Sequence, residues 1–173
     1  MSVFVSADDL RQRIQTGRKY TILASLWEPQ EGKALSKYFS EHIPTSQFCD
    51  PAAQLAGMPG SRVGRNPLPK PEVAEHAIHS WGIEDGRPVF IYDQGIGLYA
   101  ARAWWILRWM GVEDVHIVDG GFAAWDRNGF DSLAGPGSPV VKRSKAVQPG
   151  NLPTASMQEV RDFEGLLIDA RGA

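Results

Sequence analysis

One ten-residue segment, Phe90 to Tyr99 (FIYDQGIGLY), holds the residue types best suited to chemistry. An apolar run passes through a glycine-bearing turn, Asp93-Gln94-Gly95-Ile96-Gly97, into a helical pattern. Successive backbone N–H groups in such a turn converge on one point, and the helix dipole adds positive potential there. The segment predicts an anion-binding cup at the carboxyl end of a strand, where open α/β sheets place ligands. Two chemistries compete for it. Gly95-Ile96-Gly97-Leu98-Tyr99-Ala100 fits the G-x-G-x-x-A pattern of a dinucleotide site, and Asp119 follows at about the right distance after another strand. Against that, Asp93 would set a carboxylate beside a pyrophosphate, and the segment is not the first βα unit. The other chemistry is a reactive-cysteine loop of the sulfur-transfer or phosphatase kind. There the amide cup lowers a thiol pKa and holds the covalent anion that forms. Asp93 stands where that cysteine would be, and a carboxylate makes no sulfur–sulfur bond. A C-x5-R phosphatase would also need arginine where Tyr99 stands. The plainer reading is favoured: Asp93 caps the N–H groups of Gly95 to Leu98 and stiffens the turn.

No other residue offers a stronger centre. Cys49 is the only thiol, lies between Phe48 and Asp50, and reads as a small buried apolar residue. It excludes an internal disulfide and any multi-cysteine metal site. His42 precedes Ile43-Pro44 and reads as a ring that bonds backbone and fixes a loop. His76 and His79 lie one turn apart without further ligands, so a metal site is not expected. Trp105 and Trp109 are expected in the core, Trp104 either there or on an exposed face. Arg102 and Arg108 are expected as solvated surface charge.

The elements that must position the loop follow from pattern. Ser6-Ala7-Asp8-Asp9 has the form of a capping box, Leu10 and Ile14 are one turn apart, and Gly17 stops the helix. Tyr20 to Leu26 reads as a buried strand, and Glu28 to Ser40 as a polar loop. Pro71 opens a helix whose apolar positions are Val73, Ala77, Ile78 and Trp81, ended by Gly82. Pro88 to Tyr92 and Val115 to Val118 are strands. Leu98 to Met110 and Phe122 to Arg127 are helices. Short apolar strands alternating with helices predict an α/β fold, a central parallel sheet flanked by helices in three layers.

The chain has 173 residues, 43% hydrophobic and 22% charged, with net charge −2. That is a globular composition, with no basic excess for nucleic acid or anionic lipid and no apolar run of bilayer length. The first residues lack the pattern of a signal peptide, so a reduced, cytoplasmic setting is expected. Between Asp131 and Pro153 four prolines and few large apolar groups suggest an irregular linker. After it the tail echoes the head: Ser156-Met157-Gln158-Glu159-Val160 resembles Ser6 to Leu10, and Leu166 to Ala170 resembles the Thr21 to Ser25 strand. The expected organisation is one domain over 1–130, a linker over 131–153, and the opening of a second copy over 154–173, truncated.

Several ordered segments together resemble the rhodanese family, specifically the first domain of tandem-domain thiosulfate or 3-mercaptopyruvate sulfurtransferases. Glu41-His42-Ile43-Pro44-Thr45 resembles the family's G-H-I-P-G-A segment. Phe90 to Gly95 resembles the strand and active loop in non-catalytic form. Ala101 to Trp105 with Leu107-Arg108 resembles the next helix. Val118 to Trp125, with Gly120, Gly121 and Trp125, resembles the L-x-G-G-x-x-x-W signature. Asp169-Ala170-Arg171 resembles the D-[AS]-R that opens the second domain. The resemblance implies that sulfane sulfur passes through a cysteine of the second domain, from thiosulfate or 3-mercaptopyruvate to cyanide or another thiophilic acceptor. This half would then be inactive and cleft-forming. Its partners would be the second rhodanese-like domain of the same polypeptide and, in the intact protein, a small anionic sulfur substrate, with no cofactor, nucleic acid or membrane. Ala24, Leu26 and Thr45 replace the family's Asp, Arg and glycine, which fits a half without chemistry. A stand-alone binding or regulatory module is the alternative.

Overall fold

A computed structural model describes residues 2–138, 140–142 and 145–170. Five strands form one parallel sheet, β1 (Phe4–Val5), β2 (Thr21–Ser25), β3 (Ser46–Cys49), β4 (Val89–Tyr92) and β5 (Val115–Val118), in the order β1-β5-β4-β2-β3. The register sets Leu23 beside Ile91 and Ala24 beside Tyr92. Strand side chains alternate between faces, and here both faces are buried. Leu23, Val89, Ile91 and Ile117 pack under α3 (Pro71–Ser80) and α4 (Leu98–Trp109). Ile22, Phe90, Tyr92 and Val118 pack under α1 (Ala7–Gln15), α2 (Lys33–Ser40) and α5 (Gly121–Arg127). The three-layer α/β arrangement expected from the alternation of apolar runs is the one observed.

Three elements depart from the sequence reading. The segment taken as a polar loop contains α2, which starts from Gly32 at φ 75°. Its apolar residues Ala34, Leu35, Tyr38 and Phe39 recur at helical spacing, with Tyr38 the one buried side chain. The edge strand β3 buries Ser46 and Cys49 rather than an apolar run. Third, Leu166 to Ala170 forms no strand: it pairs with none of the five strands, and Ile168 is 82% exposed. A strand without a ladder partner leaves its backbone groups to water. The helix before it does form, as α6 (Met157–Arg161), with the Ser156–Glu159 capping box.

The proline-rich stretch after Phe130 is irregular yet tied down. Leu133 pairs with His42 through both backbone hydrogen bonds. Val147 and Leu152 pack on the α3–α4 core, and the Gln148 and Asn151 N–H groups bond carbonyls of Met110 and Trp109.

Candidate functional site

β4 ends at Tyr92, and the chain then turns sharply around the Asp93 side chain, which is 1% exposed. Its Oδ1 accepts N–H bonds from Gly95 at 2.8 Å and Gly97 at 3.1 Å. Its Oδ2 accepts from Tyr99 at 3.1 Å and Ala100 at 3.4 Å. The cup of amides therefore exists, and the chain's own carboxylate fills it. The donors differ in part from those expected, because the turn directs Ile96 and Leu98 outward; Ile96 is 73% and Leu98 62% exposed. Gly95 at φ 135° and Gly97 at φ 79° adopt backbone that other residues rarely reach. Four charge-assisted bonds to backbone N–H groups in a buried turn make the loop rigid.

The Gly120-Gly121 pair explains the next layer. The Phe122 N–H donates to the Asp93 carbonyl at 2.8 Å, and the Ala123 N–H to the Gln94 carbonyl at 3.3 Å. A side chain on Gly121 would place its Cβ 2.4 Å from the Asp93 carbonyl oxygen. The first turn of α5 thus docks end-on against the loop, and only glycine permits the approach. Trp125 anchors the far end of α5 by donating from Nε1 to the Asp131 carbonyl at 3.0 Å.

Behind the loop lies a buried polar seam. The Ile43 N–H donates to the Tyr92 hydroxyl at 3.2 Å, and that hydroxyl lies 3.1 Å from Ser46 Oγ. Burial pushes the Tyr92 phenol far up from its usual range. His42 stacks on Tyr38 with ring centroids 4.3 Å apart, and its Nδ1 donates to the Tyr38 carbonyl at 2.8 Å. His42, Ile43 and Pro44 therefore form a loop brace, as the reading of a backbone-bonding histidine expects. Thr45 follows at φ 67°, the one described non-glycine residue with a left-handed backbone.

Beside the first turn of α4 opens a cleft of about 600 Å³. Trp27, Leu98 and Tyr99 form one wall, and the loop from Pro51 to Asn66 forms the other. The Trp27 and Tyr99 rings lie 5.9 Å apart. Ser25 Oγ fixes this wall by donating to the Tyr99 carbonyl at 2.9 Å. Burial, then the charges of Glu28 and Asp93, push the Tyr99 phenol up.

Arg102 overturns the expectation of solvated charge. It is half-buried: Nε and Nη2 donate to the Leu55 carbonyl at 3.0 and 2.8 Å, and Nη2 also to the Pro67 carbonyl at 2.9 Å. A guanidinium suits this because its fork reaches carbonyls on two separate stretches of one loop. Arg108 likewise donates to the Glu113 carbonyl. Trp109 is buried, while Trp104 and Trp105 are partly buried against the same core; Trp104 Nε1 donates to the Val115 carbonyl at 3.0 Å. Cys49 is fully buried, and burial pushes its thiol well up from the ordinary value. Its Sγ lies 4.0 Å from Ser25 Oγ. No group of three or more metal-ligating side chains occurs among the described residues. Asp169 lies in the exposed tail, and Arg171 is outside the described residues. The cleft was missed in the sequence because its walls come from three separate segments, and no periodicity links Trp27 to Arg65 or Tyr99. No described helix is long and apolar enough to cross a membrane.

Residues 6–128 match the rhodanese-like domain. The chain is 38% identical over 153 residues to a probable 3-mercaptopyruvate sulfurtransferase of Pseudomonas aeruginosa, covering 84% of this chain and 46% of that protein. It is 32% identical over 173 residues to a putative thiosulfate sulfurtransferase, SseB, of Mycobacterium tuberculosis, covering 98% and 61%. The fold is similar to the crystal structure of SseA, a 3-mercaptopyruvate sulfurtransferase from Escherichia coli, with TM-score 0.77, 28% identity and coverage of 93% and 61%. The chain spans about half the length of the curated relatives it matches. A parallel sheet in this order, the glycine-rich turn after β4 and a match over most of the chain agree: the chain belongs to the rhodanese family.

Proposed function

We propose that this chain is the non-catalytic, cleft-forming half of a rhodanese-type sulfurtransferase. In this reading Asp93 holds the seat of the loop nucleophile. The filled cup carries the argument: four amides that would stabilise a thiolate or persulfide are bonded to a carboxylate instead. A carboxylate oxygen cannot accept sulfane sulfur as a thiolate does, because the perthiolate product needs a sulfur–sulfur bond. The one thiol, Cys49, is buried, and its raised pKa keeps it a poor nucleophile.

The whole protein's reaction is then sulfane sulfur transfer from thiosulfate or 3-mercaptopyruvate to cyanide or another thiophilic acceptor, at a cysteine of a second rhodanese-like domain beyond residue 173. This half supplies a rigid wall. Ile96 and Leu98 on the Asp93 turn, Trp27 and Met58, the last 89% exposed, are exposed apolar side chains suited to covering by that domain. In this reading 1–130 is the domain, 131–153 the linker and 154–173 the start of the second copy, in a reducing compartment. The Gly95-to-Ala100 segment is not a dinucleotide site here, because a pyrophosphate finds its amides already bonded.

The deciding experiment is a thiosulfate-to-cyanide assay on this chain and on a chain extended through the second domain. The expected result is no turnover for this chain, with or without Cys49→Ala, and turnover for the extended protein. Turnover by this chain that survives Cys49→Ala would overturn the reading. Saturable NAD binding abolished by Gly95→Val would favour the dinucleotide reading instead.

A further inference from the structure

Helix α4 starts at the Asp93 cup, and its other end is closed by a distant segment. The last carbonyls of a helix have no partner within it. The turn after α4 meets three of them: the Met110, Gly111 and Val112 N–H groups donate to the Ile106, Arg108 and Leu107 carbonyls at 2.9, 3.1 and 2.9 Å. The Trp109 and Met110 carbonyls are met instead by the proline-rich stretch. The Asn151 N–H donates to Trp109 at 3.1 Å, the Asn151 side-chain amide to the same carbonyl at 3.2 Å, and the Gln148 N–H to Met110 at 3.2 Å. The Asn151 side chain also donates to the Gln148 carbonyl, which ties the two donors together. Gly111, at φ 88°, gives the room: a Cβ there would lie 3.1 Å from the Asn151 side-chain nitrogen.

Apolar and charged contacts hold the same segment. Val147 and Leu152 pack on the α3–α4 core. His79, near the end of α3, donates from Nε2 to the Lys145 carbonyl at 2.8 Å, and the Lys145 ammonium pairs with Asp85. The Lys145 side chain is only 8% exposed. Residues 145–152 are therefore a strap across the ends of α3 and α4. The hold stops abruptly: every described residue from Pro153 onward is exposed, and a new element opens at the Ser156–Glu159 capping box.

We infer that residues 145–152 move as part of the first domain, and that the hinge between the two halves of the whole protein is Pro153-Thr154-Ala155. The hinge rests on the reading of 154–173 as the start of a second copy; the strap does not. A free proline-rich linker would let the second half range widely. Three residues span at most about 10 Å, so α6 starts near the C-terminal end of α4 however the second half turns. Pro153 narrows the swing further by fixing its own φ.

The test has two arms. Amide exchange on this chain, followed by NMR, reads the strap. The Gln148 and Asn151 amides are expected to exchange at least about 100-fold more slowly than those of Thr154 and Ala155, as bonded groups in a packed unit do. Asn151→Ala should speed exchange at Gln148 by about tenfold and leave Leu23 and Ile91 in the sheet unchanged. Small-angle X-ray scattering on the chain extended through the second domain reads the hinge. A Gly-Ser-Gly-Ser insert between Val141 and Lys142, ahead of the strap, should leave the profile unchanged, because the strap docks again. The same insert between Thr154 and Ala155 should enlarge the maximum dimension. Exchange at Gln148 and Asn151 as fast as at Thr154, an unchanged Gln148 or an equally accelerated sheet in Asn151→Ala, or the same profile from both inserts would each overturn the proposal. A free strap leaves the sulfur-transfer assay of the extended protein standing. Absent turnover there leaves both arms standing, so the two readings fail separately.

Discussion

Asp93 shows how one side chain can be legible in type and only partly legible in geometry. Its place after an apolar strand and before two glycines announces a carboxylate capping a turn. Which amides it meets depends on how far the turn curls, and the structure selects Gly95, Gly97, Tyr99 and Ala100. Asp93→Asn is expected to destabilise the fold by about 2 kcal/mol, because an amide NH2 would face N–H donors that need an acceptor. Urea midpoints of the two proteins check this, and an unchanged midpoint would contradict the filled cup. Arg102 carries the opposite lesson. An arginine in a helical pattern reads as surface charge, and nothing in its neighbours announces the Leu55 and Pro67 carbonyls, 47 and 35 residues away in the chain.

At the scale of elements, the strand–turn–helix around Asp93 is locked by a second element, the start of α5. That makes the glycines unequal. Gly121→Ala brings a Cβ to 2.4 Å from the Asp93 carbonyl oxygen at φ 54°, and is expected to cost more than about 3 kcal/mol. Gly97→Ala, at φ 79° with open space around its Cβ, is expected to cost only about 1 kcal/mol of backbone strain. Denaturation midpoints of the pair test the docking of α5 against the loop, and equal losses would refute it. Helices α1, α3 and α4 were readable because caps, Pro71 and repeated apolar positions mark them locally. Helix α2 was missed although Ala34, Leu35, Tyr38 and Phe39 recur at helical spacing, because it is short, starts at Gly32 without a side-chain cap and sits among polar and charged residues that read as loop.

For the molecule as a whole, the tail and the linker separate cleanly. Every described residue from 154 to 170 is exposed, so truncation after Pro153 is expected to change stability by less than about 0.5 kcal/mol. Truncation after Phe130 removes Val147 and Leu152 from the core and Leu133 from His42, and should cost about 2 kcal/mol or more. Calorimetry of the two truncations decides it. Alkali is a second global test. Burial holds the Tyr38 and Tyr92 phenols above their ordinary values, while in the unfolded chain they ionise near pH 10. The folded form keeps its protons longer, so stability should be level below about pH 9.5 and fall as pH rises past about 10. Urea midpoints from pH 8 to 11, with phenolate absorbance, measure this. Free titration of all 4 tyrosines near pH 10 without loss of stability would contradict it.

The amino-acid sequence alone determined the layers, the strand–loop–helix around Asp93, the brace at His42-Ile43-Pro44 and the Gly120-Gly121 turn. Each is encoded by neighbours within a few residues, where period, caps and glycine placement act directly. Tertiary structure alone decided that Trp27, Arg65 and Tyr99 share a cleft, that Arg102 is a strut, and that Leu166 to Ala170 stays outside the sheet. Those outcomes depend on contacts between distant segments and on the presence or absence of a partner strand, and local pattern carries no information about either.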